Sequence, residues 1–168
     1  MKKLAVIFAA ASLFSLSAKD KKENIADLKS ADDAVAIKAA QELGADGAKD
    51  AIEPLGEVIK SNRAAGVRIA AASALGRIGE KGRSTTILKE SIEADQDNHV
   101  VYTELLALMN IADLENPDLT KAVEFCENNK KSDMYITDIL TRIRKKFPAK
   151  KEEKKEEKPA DKPADAPK

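Results

Sequence analysis

Two copies of one pattern stand 32 residues apart: Val35-Ala36-Ile37-Lys38-Ala39-Ala40-Gln41-Glu42-Leu43-Gly44 and Val67-Arg68-Ile69-Ala70-Ala71-Ala72-Ser73-Ala74-Leu75-Gly76. An internal period in this range belongs to helical solenoids, where each helix pair buries its apolar face against the next pair. The chain therefore predicts an all-α stack of helix pairs, an object that usually works as a binding surface.

The two ends read differently from the middle. Lys2 and Lys3 precede an apolar stretch from Leu4 to Leu16, followed by small residues at Ser15, Ser17 and Ala18 and by the charged pair Lys19-Asp20. That is the layout of a cleavable secretory signal peptide. The apolar stretch falls short of the roughly 20 residues a spanning helix needs. The expectation is a signal segment over 1–18, export to the periplasm or beyond, and no transmembrane segment once it is removed. From Pro148 to Lys168 the chain uses Lys, Glu, Asp, Pro and Ala and holds no large apolar residue. Such a composition cannot offset its ordering entropy, so 148–168 is expected to be a disordered tail.

Between them, 19–147 is the length of one domain with a real core. It carries 20 Lys and Arg against 23 Asp and Glu, a net charge of −3. A weakly acidic body without Trp offers neither the basic surface nor the stacking platforms of a nucleic-acid binder. A single cysteine, Cys126, leaves no internal disulfide, so helix packing must supply the stability.

Glycine and proline punctuate the body. A short helix over about 21–29 contributes Ile25 and Leu28. Ser30 is expected to cap the next helix, with Asp33 completing the cap; that helix carries Val35, Ile37, Ala40 and Leu43 and is expected to stop at Gly44. Pro54 suits a first helical turn, and Leu55, Val58 and Ile59 mark one face. The second unit repeats the plan: Gly79 matches Gly47, and Thr85 or Thr86 is expected to cap a helix bearing Leu88 and Ile92. In the third unit Val100, Leu108 and Ile111 align with Val67, Leu75 and Ile78 at a spacing of 33. Met109 and Ala112 replace Gly76 and Gly79, so this turn is expected to abandon the glycine geometry. Asn116-Pro117 starts a further helix with Leu119, Ala122, Val123 and Cys126 on one face. Ser132 is expected to cap a last one, striped by Ile136, Ile139, Leu140, Ile143 and Phe147. The count is three helix pairs plus flanking helices.

The strings Val67-Arg68-Ile69-Ala70-Ala71-Ala72-Ser73-Ala74-Leu75-Gly76-Arg77-Ile78-Gly79 and Ala51-Ile52-Glu53-Pro54-Leu55 resemble short bacterial HEAT repeats, also called PBS-lyase-like. The resemblance is clear from about Ile25 to Glu93 and extends to Phe147 by weaker periodicity. It implies a short right-handed α-solenoid of antiparallel pairs, commonly a protein-binding scaffold whose second helices line the concave face. Nothing in the chain matches a residue specific to the lyases that gave the family its other name.

No catalytic, cofactor or metal site is expected. His99, the sole histidine, has only Asp95 and Asp97 nearby and lacks a second imidazole or thiolate. Cys126 lies on an apolar stripe and reads as a buried small hydrophobe. Glu53 with Glu57, and Glu90 with Glu93, read as a solvated face rather than an acid–base dyad. The candidate protein-binding surface is the exposed side of the second helices: Glu53, Glu57 and Lys60, then Lys89, Glu90 and Glu93, then Lys121, Glu124 and Asn128. Phe125 and Ile87 are expected at the flanks of this mixed-charge groove, Phe125 as an aromatic anchor. Arg142, Arg144, Lys145 and Lys146 either steady a helix end or touch an anionic envelope surface. The expected function is a non-catalytic scaffold for an unidentified envelope protein, with no nucleic-acid partner and no cofactor. A structural or stress-related envelope component contacting cell wall or anionic lipid, and a lyase-type enzyme, are the competing readings.

Overall fold

A computed structural model describes residues 20–148, and these are helical throughout, with no strand. The expected signal segment over 1–18 and the expected tail beyond Pro148 lie outside the described residues. The helices are α1 (Lys21–Asp27), α2 (Asp33–Ala45), α3 (Ile52–Ile59), α4 (Ala65–Ile78), α5 (Arg83–Ala94), α6 (Asn98–Ile111), α7 (Pro117–Asn129) and α8 (Met134–Lys146), with a 3-10 turn at Lys49–Ala51. No helix among them is long and apolar enough to cross a membrane.

Short polar side chains start most of these helices. Asp20, Asp32, Asp97, Asn116 and Asp133 each accept a hydrogen bond from the backbone N–H two residues ahead. A cap of this kind is worth about 1 kcal/mol. Three caps differ from expectation. Asp32 rather than Ser30 caps α2, and the Ser30 hydroxyl accepts from the Asp32 N–H instead. Asp133 rather than Ser132 caps α8, because its carboxylate reaches both Tyr135 and Ile136. Helix α5 begins earlier than expected, after Gly82, since Thr85 and Thr86 spend their hydroxyls on Asp113 in the turn after α6 and on Asp118 of α7.

The helices form two rows. The even helices stack as α2–α4–α6–α8, and the odd helices as α3–α5–α7, with α1 packed on α2. Among its two neighbours in the chain, each odd helix packs on the one that follows it, giving four pairs: α1/α2, α3/α4, α5/α6 and α7/α8. The expected three pairs with flanks therefore become four, and the drifted third unit stacks as regularly as the others. Leu43, Leu75 and Leu108 sit at matching, fully buried positions of α2, α4 and α6, as Leu55 and Leu88 do in α3 and α5. Val35 departs from the expected core stripe: it is 36% exposed, while Ala36, Ala39 and Ala40 carry the buried face of α2.

Small residues set the spacing of the even row. A Cβ on Gly44 would stand 2.8 Å from the Cα of Ala74, and a Cβ on Gly76 would stand 2.8 Å from the Cα of Ala107. Gly44 and Gly76 lie inside α2 and α4, so they do not end these helices; they let neighbouring backbones touch. The left-handed residues come later, at Gly47 and Gly79. Ala112 adopts the same conformation, φ 50°, at the end of α6. The third turn thus keeps the glycine geometry without a glycine, at a backbone cost of about 1–2 kcal/mol. Asp113 beside it offsets that cost by accepting from the Gly82 N–H at 2.7 Å and the Thr85 hydroxyl at 3.1 Å.

Candidate protein-binding surface

The odd row carries the candidate surface. Glu53 and Glu57 project from α3 and Lys60 caps its end; Lys89, Glu90 and Glu93 lie on α5; Lys121, Glu124, Phe125 and Asn128 lie on α7. Spacings of three and four residues put each group on one side of its helix. Packing of α3 on α5 and of α5 on α7 then sets the groups next to one another.

Much of this face is already paired across repeats. Arg83 donates to both carboxylate oxygens of Glu53, at 2.5 and 2.9 Å, and holds that carboxyl below its usual value. Lys60 reaches Glu90 at 3.1 Å, Lys29 reaches Glu57 at 3.4 Å, and Lys89 reaches Glu93 at 2.7 Å within α5. Lys121 turns to Asp118 at 3.2 Å. Exposed pairs of this kind are individually weak and screened by salt, so they stay available for exchange with a partner's charges. Glu124 also lines a cleft of about 560 Å³ with Leu119, Val123 and Phe147. Phe125 is half-buried and packs on the core. Ile87 is fully buried, its side chain filling the space above Gly56, so it does not flank the groove.

Other singled-out residues have ordinary settings. His99 is exposed beside Asp97, at 3.3 Å. Cys126 is fully buried, and burial pushes its thiol up to about 12. Among the basic residues of α8, Arg144 is held by both carboxylate oxygens of Glu127 at 2.8 Å. Arg142 lies 3.9 Å from Asp138, and Lys146 donates to the Met109 carbonyl at 3.3 Å. Among the described residues, no three His, Cys, Asp or Glu side chains converge as metal ligands would.

One group escaped the sequence reading. Glu104 is fully buried in α6, and neither carboxyl oxygen has a partner with hydrogen-bond geometry. Burial pushes it up to about 7; the Ser91 hydroxyl and the charges of Arg68 and Lys130 pull it down, and Asp95 pushes it up. Its signal was the spacing Val100, Glu104, Leu108, Ile111, which sets a carboxyl on the apolar stripe of α6.

A family model of HEAT repeats matches residues 22–109. No curated protein matches the chain. The repeat period, the two stacked helix rows and this match agree: the chain belongs to the HEAT-repeat family of helical scaffolds, which typically mediate protein–protein interaction.

Proposed function

We propose that this chain is a non-catalytic protein-binding scaffold of the bacterial periplasm, delivered there by its 1–18 signal segment. The carrying observation is the odd helix row, where charged side chains of α3, α5 and α7 form a continuous mixed-sign face. Such a face supplies electrostatic complementarity and register, and half-buried Phe125 adds an apolar contact at its far end.

The test is affinity capture from cell-envelope extract with the mature chain and with a Glu90→Lys/Glu124→Lys variant. The expected result is one stoichiometric protein retained by the parent chain and lost with the charge-reversed face. Equal capture by both chains would place recognition elsewhere. Fractionation of the native protein checks the location, which a cytoplasmic protein with residues 1–18 intact would overturn.

The reading as an envelope component bound to anionic lipid draws on the basic end of α8. Engagement of Arg144 by Glu127 and of Lys146 by the Met109 carbonyl favours the protein-binding reading instead. Salt-sensitive binding to anionic vesicles, absent from neutral ones, would reverse that preference.

A further inference from the structure

One position of the repeat changes character along the stack. Ala39 of α2 and Ala71 of α4 stand in register with Glu104 of α6, at the same repeat spacing as Leu43, Leu75 and Leu108. All three are buried, so a carboxyl occupies a place that the earlier pairs fill with a methyl group. Among the described residues, neither carboxyl oxygen of Glu104 has a hydrogen-bond partner. A second group of the same cluster is incompletely served as well: the Nε of Arg68, on α4, is buried and has no partner. An unpaired donor and an unpaired carboxyl, both buried and close together, call for an account.

Groups from three neighbouring helices act on the Glu104 carboxyl: Arg68 of α4, Ser91 and the cap Asp95 of α5, and Lys130 at the end of α7. Cys126 of α7 senses the same carboxyl. Helix α8, also packed on α6, buries Ile136, Ile139, Leu140 and Ile143 and leaves Asp138 and Arg142 exposed beside one another. The two cations differ in how far they are committed. The Lys130 ammonium donates to the Asp95 carbonyl at 3.0 Å and to the Asn98 Oδ1 at 3.3 Å. Arg68 is held loosely. Its terminal nitrogen lies 3.4 Å from the Asp95 carboxylate, longer than the roughly 2.7–2.9 Å of a good charge-assisted hydrogen bond. Asp95 has a second donor in the Asp97 N–H, at 2.8 Å. Arg68 is therefore the cation that can change partner.

We propose that a single proton exchanges Arg68 between two carboxylates: it rests on Asp95 while Glu104 is protonated and turns to Glu104 when that group ionises. A neutral carboxyl needs no cation, whereas a carboxylate buried without one is costly. The guanidinium meets that need with the Nε that is otherwise idle, in the two-pronged geometry arginine favours. Burial raises Glu104 from 4.5 to about 7, which sets the exchange near neutral pH. Arg68, Ser91 and Asp95 line a cleft of about 640 Å³ between the α3–α4 and α5–α6 turns, so the exchange moves a wall of that cleft. Once Arg68 has turned inward, Asp95 faces the cleft without its cation. The cleft also includes Lys60 of the odd-row face. As regulation of that face the switch rests on the scaffold reading; the exchange itself does not.

The test is an NMR titration of the protein between about pH 5 and 9, following the Glu104 side-chain carboxyl carbon and the Arg68 Nε–H resonance. Glu104→Gln and Arg68→Lys assign the two signals by their loss. The expected result is that both move with one midpoint, about 7. Above it, exchange of the Arg68 Nε hydrogen with water, corrected for base catalysis, should slow by about tenfold or more. In Glu104→Gln the Arg68 signal should keep its low-pH position throughout. His99→Asn, which removes the sole imidazole, should leave both movements intact. A Glu104 carboxyl that titrates while Arg68 stays still would overturn the exchange. So would an Arg68 movement that survives Glu104→Gln, or a Glu104 carboxyl that does not titrate in this range. Envelope capture at one fixed pH tests the scaffold reading without this switch, so the two fail separately.

Discussion

The two helix rows solve the same stacking problem by different means. In the even row, Gly44 against Ala74 and Gly76 against Ala107 bring backbones into contact, leaving no freedom for a side chain to adjust. In the odd row, polar side chains span the gap: Arg83 to Glu53, Lys60 to Glu90, Thr86 to Asp118. Backbone contact fixes distance, whereas side-chain bridges tolerate change. The difference teaches where such a scaffold can vary its surface without losing its stack.

The sharpest challenge to that contrast is Glu104, a charged exception inside the even row. Its folded value is raised from 4.5 to about 7, so the stability it contributes is full below about pH 4.5 and is lost as pH rises through about 7. The loss amounts to about 3 kcal/mol. Glu104→Gln should flatten the change in urea midpoint between pH 5 and 8 and stabilise the protein at pH 8. An unchanged pH profile would show that water or a cation already satisfies the carboxyl.

Gly76→Ala tests the backbone contact directly. Overpacking against Ala107 should cost about 2 kcal/mol even after the helix-propensity gain, read as a lower denaturation midpoint. A neutral result would mean that α4 and α6 move apart freely, and the contrast between rows would fail. Ala112→Gly should have the opposite sign: relief of the left-handed alanine gains about 1 kcal/mol. Smallest of all, Lys60→Ala in the odd row should change stability by less than about 0.5 kcal/mol and show little salt dependence. A larger loss would make the side-chain bridges as structural as the glycine contacts.

Much of the fold could be read from residues alone. Leu43, Leu75 and Leu108 carried the repeat, Gly47 and Gly79 matched one period apart, and Asn116-Pro117 opened α7 as expected. What escaped was set by neighbours distant in sequence. Gly44 reads as a helix stop until Ala74 is seen against it. Thr85 reads as a cap until Asp113, in the turn after α6, takes its hydroxyl. Ala112 gives no local sign of a positive φ, because its conformation is imposed by where α6 must end. The charged face of the odd row was legible from helical spacing, but its cross-repeat pairing was not. Arg83 and Glu53 lie 30 residues apart, so only the stack reveals them as partners.

Cys126 gives the molecule a stopwatch of its own. Fully buried and with its thiol pushed up to about 12, it is shielded twice from alkylating reagents. Labelling must therefore wait for α7 to open, and its rate counts those openings. A single unmodified thiol can thus time how often the third and fourth pairs part company, with no engineered probe.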